Sequence, residues 1–131
     1  MLYAVLCYND ENAVATWTQE EDDACMARLA EVNGRMAAKG KLGPVARLNN
    51  TDKAVTVRKG ATPFVVDGPF AETKEQFLGF YVVDCDTLDE AVAFVKELTE
   101  ANPGSGSYEI RPVRFYSPSA LREKADAEAA A

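Results

Sequence analysis

The stretch VVDGPFAETKEQFLGF, residues 65–80, carries the chain from one apolar run to another through a loop rich in charge. Val65 and Val66 end a strand-like segment, and Asp67-Gly68-Pro69 has turn chemistry. Phe77 to Val83 then reads FLGFYVV, the nearly continuous apolar run expected of a central strand. Gly79 inside that run predicts a close backbone approach or a bulge.

Working outward, strand and helix signals alternate. In the opening LYAVLCY, Leu2, Ala4, Leu6 and Tyr8 face one way and Tyr3, Val5 and Cys7 the other. Both sets are largely apolar, so the strand is expected to be covered on both faces. Thr18-Gln19-Glu20-Glu21 is a capping box, predicting a helix over 19–39 with Cys25, Leu29, Val32 and Met36 as its buried stripe and Gly40 as its stop. Residues 44–48 and 53–58 read as short strands, with Val55 and Val57 on a buried face. Lys59-Gly60-Ala61-Thr62 turns the chain into a hairpin partner over 63–66. Thr87-Leu88-Asp89-Glu90 is a second capping box, with Leu88, Ala91, Val95 and Leu98 as the buried stripe and Asn102-Pro103-Gly104 as the stop. A last strand is expected from Tyr108 to Phe115, with Pro112 placing it at an edge or bulge. A frayed or disordered tail follows over 117–131, so the domain is residues 1–116.

The order is strand, helix, a group of short strands, strand, helix, strand, a sheet with two helices. Two helices shelter one face of such a sheet, and the second apolar face must be buried against something else. A second copy of the chain is the economical partner, and a symmetric homodimer joined through the open faces encloses a space between subunits.

Composition narrows the function. The 131 residues hold 21 acids against 14 bases, a formal charge of −7, which opposes the phosphate neutralisation that nucleic-acid binding needs. Direct DNA or RNA partners are excluded. No apolar run approaches the roughly 20 residues of a membrane helix, and the opening residues lack the basic region of a signal peptide. Cys7, Cys25 and Cys85 are odd in number and widely spaced, as expected of reduced, buried thiols in a cytoplasmic protein. No histidine is present, which removes the commonest proton shuttle and the commonest transition-metal ligand. Neither a metal nor another cofactor is expected. The acids at 20–23 and at 84–90 read as helix-terminal charges favoured by the helix dipole.

Two readings of the loop stay open. In one, Asp67 accepts N–H bonds from its own turn and Phe70 returns to the core as an anchor. In the other, Asp67, Glu72, Lys74 and Glu75 stand at the mouth of the dimer cavity, where neighbouring titratable groups are driven apart in pKa and Asp67 serves as base. Lys74, Glu75, Tyr81 and Arg111 are the candidate ligand-binding residues beside it. Arg111, on a face with Glu109, Val113 and Phe115, needs either Asp67 or Glu75 as an ion-pair partner or a bound anion.

The run Asp67-Gly68-Pro69-Phe70-Ala71-Glu72-Thr73-Lys74-Glu75, with Gly79-Phe80-Tyr81, Tyr3 to Tyr8, Leu88-Asp89-Glu90-Ala91 and Glu109-Ile110-Arg111-Pro112-Val113, resembles the DGPF proteins of the YCII-related family. The resemblance implies a ferredoxin-like α+β domain, an antiparallel sheet with two helices on one face, that pairs into a dimeric α+β barrel. It implies little about chemistry, since family members are mostly of unknown function and some occur beside sigma factors. Two functions are therefore expected as alternatives: a homodimer that binds, and acts on, a small molecule in its inter-subunit cleft, read from the charged loop beside an apolar sheet, or a non-catalytic accessory module associated with a sigma factor in transcription. The histidine and aspartate pair attributed to YCII-like relatives has no counterpart here, because the histidine is missing.

Overall fold

The computed structural model describes residues 1–117 and Leu121. The tail expected over 117–131 lies outside the described residues apart from Ser117 and Leu121. Six strands, β1 (Leu2–Asn9), β2 (Leu42–Arg47), β3 (Val55–Arg58), β4 (Phe64–Asp67), β5 (Gln76–Asp84) and β6 (Ser107–Pro112), alternate with the helices α1 (Glu11–Ala15), α2 (Gln19–Ala38) and α3 (Leu88–Ala101). A 3-10 turn occupies Thr51–Lys53.

The main sheet has the order β2-β5-β1-β6, all neighbours antiparallel, while β3 and β4 form a separate two-stranded ribbon. With the ribbon and the short α1 set aside, the order is β-α-β-β-α-β, that of a ferredoxin-like domain. β5 is central, as its apolar run predicts. β6 is an edge strand ending at Pro112, a position with no ladder bond for the missing N–H to break. Opposite the Cys7/Tyr8 step of β1 the register slips at Leu78, so both signals read from Gly79 are realised at one place: a bulge beside it and a close approach of β2.

The helix starts follow the sequence. Thr18 Oγ1 accepts from Glu21 N at 3.1 Å and Thr87 Oγ1 from Glu90 N at 3.2 Å. The return half of each box differs. Glu21 instead accepts from the Thr18 hydroxyl, and Glu90 accepts from Asp86 N at 2.9 Å and from the Lys41 ammonium. That contact draws the Lys41 pKa up and the Glu90 pKa down. α1, capped by Asp10, has too few apolar residues to announce itself in sequence.

One core lies between the helices and one sheet face. It unites Tyr3, Val5, Tyr81 and Val83 of the strands with Cys25, Leu29, Val32 and Met36 of α2 and Ala91, Phe94, Val95 and Leu98 of α3. Tyr81 meets Phe94 edge to face, with ring centroids 6.0 Å apart. The Ala101 carbonyl at the end of α3 accepts from Arg28 Nε at 2.7 Å, which ties the two long helices together and satisfies an orphan acceptor. Leu88 was expected in this stripe but is 52% exposed. As the first residue of α3 it precedes the turn that meets the sheet, and Phe94 supplies the bulk instead.

The alternate strand residues Ala4, Leu6 and Tyr8 of β1, Phe80 and Val82 of β5 and Ala46 of β2 project from the opposite face. They are only half-buried, and no helix among the described residues packs on them. Tyr8 and Phe77 form a ring pair there, with centroids 5.6 Å apart. Val55 and Val57 correct the sequence reading: at 61% and 62% exposed they bury nothing in one chain, because the ribbon stands apart from the sheet.

Candidate functional site

The charged loop leaves β4 at Asp67 and rejoins the sheet at Gln76. One backbone and two side-chain hydrogen bonds anchor its first half to the ribbon: Gly68 N donates to Ala54 O at 2.7 Å, Thr56 Oγ1 donates to Gly68 O at 2.8 Å, and Arg58 Nη2 donates to Phe70 O at 3.0 Å. Gly68 has φ +97°, a conformation that suits glycine and makes the turn into Pro69 possible. Its second half is held from α1. Glu11 N donates to Gln76 Oε1 at 2.9 Å and Gln76 Nε2 donates to Thr73 O at 2.6 Å, while the Glu11 carboxylate accepts from the backbone and hydroxyl of Thr51. Glu11 and Gln76 therefore shape the loop, a role nothing in their local sequence signals. Together they line a polar hollow with Thr51, Gly68, Glu72 and Thr73.

The structural-anchor reading of this loop is corrected. Phe70 is 71% exposed, because the bonds to Thr56 and Arg58 hold its backbone against the ribbon and away from the core. Asp67 is exposed at the ribbon end, and its carboxylate accepts no hydrogen bond among the described residues. Lys74 and Glu75 are likewise exposed and form no ion pair there.

The remaining predicted residues lie elsewhere. Arg111, on β6 opposite Ala4, is exposed and projects from the same face as Leu6 and Phe80. Along β1 its register is five residues from Gln76, which pairs with Asn9; that is about 17 Å at strand spacing. Within the chain it forms no ion pair with Asp67 or Glu75 among the described residues, so the predicted structural pair is absent. Tyr81 points the other way, into the core under the helices, where burial pushes its phenol up to about 12.

On that helix side lies a crevice of about 170 Å³ between α2 and the sheet, which the sequence reading did not anticipate. Cys7, Trp17, Cys25, Met26, Leu29 and Tyr81 line it, and burial raises both thiol pKa values. Across its mouth Arg47 of β2 grips Asp22 of α2 through two bonds, 2.8 and 3.2 Å, which lower the Asp22 pKa. Asn33 Oδ1 is buried in its wall with no hydrogen-bond partner among the described residues. The apolar spacing of α2 made Cys25 legible as core, but only the fold brings β1, β2 and α2 around one space.

No helix among the described residues is long and apolar enough to cross a membrane. The family model of the YCII-related domain matches residues 1–117, the whole span of sheet, helices and loop. The chain is also similar to an uncharacterised protein of Rhizobium meliloti (strain 1021), 55% identical over 122 residues that cover 92% of this chain and 98% of that protein. With a match that takes in every strand and helix described above, the chain belongs to the YCII-related family.

Proposed function

We propose that the protein acts as a homodimer, a dimeric α+β barrel joined through the bare faces of the two sheets, which binds a small molecule in the cleft between subunits. The observation that carries this reading is the apolar surface of Ala4, Leu6, Tyr8, Phe80 and Val82, on which no helix among the described residues packs. A sheet face of that composition favours removal from water, and a stable interface needs about 800 Å² from each partner. Asp67, Lys74, Glu75 and Arg111 are exposed charges without an ion-pair partner among the described residues, which leaves them free to meet a ligand or the second subunit. Asp67 is the carboxylate that orients the ligand or accepts its proton. Tyr81, which faces the helices, is not part of this rim. Three free cysteines suit a reducing, cytoplasmic setting.

Sedimentation equilibrium tests the pairing. Wild type at tens of micromolar should show twice the 14.2 kDa chain mass, and Phe80→Lys, which sets an ammonium in the middle of the face, should show the single mass. A wild-type monomer at those concentrations refutes the reading. For the ligand, a thermal-shift screen of small metabolites should find one that stabilises wild type and fails to stabilise a dimeric Asp67→Asn variant. The accessory alternative would use the exposed ribbon residues Val55, Val57, Phe64 and Val65 against a sigma factor. A pull-down that captures a purified sigma factor and is abolished by Val57→Lys would favour it.

A further inference from the structure

We propose that the crevice between α2 and the sheet is a second, intrasubunit site that takes a small neutral aromatic molecule carrying one hydrogen-bond donor. Size sets the first limit. At about 170 Å³ the space slightly exceeds an apolar cavity of about 150 Å³, which accepts a benzene ring and stays dry without one. A single ring with one or two substituent atoms fits; a nucleotide or a drug-sized molecule does not.

The lining sets the second limit. Trp17, Met26, Leu29 and Tyr81 offer apolar and aromatic surface, and the thioether of Met26, at the exposed lip, adapts to an entering ring. The charged residues at this mouth, Asp22 and Arg47, are spent on each other through a two-bond pair. The thiols of Cys7 and Cys25 stay protonated at neutral pH, because burial raises both pKa values. An anion or a cation would therefore lose its hydration and gain no counter-charge.

Asn33 sets the third. Its buried Oδ1 has no partner among the described residues, and a buried acceptor left unpaired is unfavourable. Once Asn33 turns its amide toward the crevice, a ligand hydroxyl or ring N–H would satisfy that oxygen, which distinguishes a phenol-like molecule from a plain hydrocarbon. Pockets that are mostly apolar with one or two placed polar groups are the usual form of small-molecule sites. This site lies on the helix side of the sheet, so it does not depend on the dimer cleft.

Titration calorimetry of the full chain with 4-methylphenol, toluene and benzoate tests the assignment, with two-dimensional NMR locating the response. Both neutral rings should bind saturably and shift Cys25, Leu29 and Tyr81 resonances. The phenol should bind about fivefold more tightly than toluene, the usual worth of one neutral hydrogen bond. Benzoate should not bind. Asn33→Leu should erase the fivefold preference, and Ala30→Phe, placed on the exposed rim of the same space, should abolish both ligands. Should Asn33→Leu fail to fold, the probe series on wild type and Ala30→Phe still decides. Leu6→Lys, which sets an ammonium on the bare face opposite Phe80 and outside the crevice, should leave binding intact, which separates this site from the dimer reading. The proposal is overturned if neither ring saturates, if benzoate matches the phenol, if Ala30→Phe retains binding, or if Leu6→Lys abolishes it.

Discussion

Replacing Gly79 with alanine adds one methyl group at the most confined point of the sheet. A Cβ there would stand 2.4 Å from Ala46 O, 3.3 Å from Arg47 Cα and 3.4 Å from Ala46 C. All three atoms are backbone of the paired strand β2, so no side-chain rotation relieves the contact. Carbon and carbonyl oxygen approach comfortably at about 3.3–3.6 Å, so the two strands must part by roughly 1 Å. Overpacking of this kind costs about 1–3 kcal/mol, and weakening one ladder bond adds about 0.5–1.5 kcal/mol. Alanine recovers roughly 0.5–1 kcal/mol of backbone entropy, leaving a net loss of about 2–3 kcal/mol. For a chain of this length that lowers the melting temperature by roughly 8–12 °C. Gly34→Ala is the internal control. In the middle of α2, with nothing within 4 Å of the new atom, it should stabilise by about 0.5–1 kcal/mol. Urea unfolding followed by circular dichroism and Trp17 fluorescence would measure both. The reasoning fails if Gly79→Ala lies within about 0.5 kcal/mol of wild type, or if the two substitutions change stability in the same direction.

Leu98→Ala, at a fully buried core position, should cost about 2–5 kcal/mol, whereas Leu88→Ala, at an exposed one, should stay within about 0.5 kcal/mol of wild type in the same urea experiment. The Lys41–Glu90 contact lowers the folded pKa of Glu90 from 4.5 and raises that of Lys41 from 10.5. Its stabilisation should therefore be full between those values, fade as pH falls through the folded value of Glu90, and fade again as pH rises through that of Lys41. The melting-temperature difference between wild type and Glu90→Gln, measured from pH 3 to 8, should narrow only at the acid end. Arg58→Ala removes the donor to Phe70 O and should speed proteolysis and amide exchange over residues 69–75, with global stability changed by less than about 1 kcal/mol. Unchanged exchange there would refute the anchoring role.

Much of the fold was legible because its signals are local. Thr18 and Thr87 cap their helices through bonds that span three residues, and the alternation of β1 separates Tyr3 and Val5 from Ala4 and Leu6 as it does in the folded chain. What failed was non-local. Val55 and Val57 alternate like any half-buried strand, but their pairing partner is another exposed strand and no sheet lies beneath them. Phe70 looks like an anchor until Arg58 and Thr56 fix the backbone around it. The candidate site was legible least. Tyr81 lies on a strand apolar on both faces, so its sequence could not say which face the helices choose. Arg111 and the 67–76 loop are separated by the sheet itself, a distance no spacing in the chain reveals.

The bond from Leu48 N to Leu78 O, at 2.8 Å, closes the chain just where the ribbon and loop depart from the sheet. The stretch between those two residues and short of β5, residues 49–75, is an excursion through a narrow neck that is fastened to the body by Glu11, and the β2–β5 ladder is complete without it. The appendage is thus free to lengthen, shorten or change its charge over generations with little penalty to the body that carries it. Chains that keep the same sheet and helices can come to differ in that arm alone.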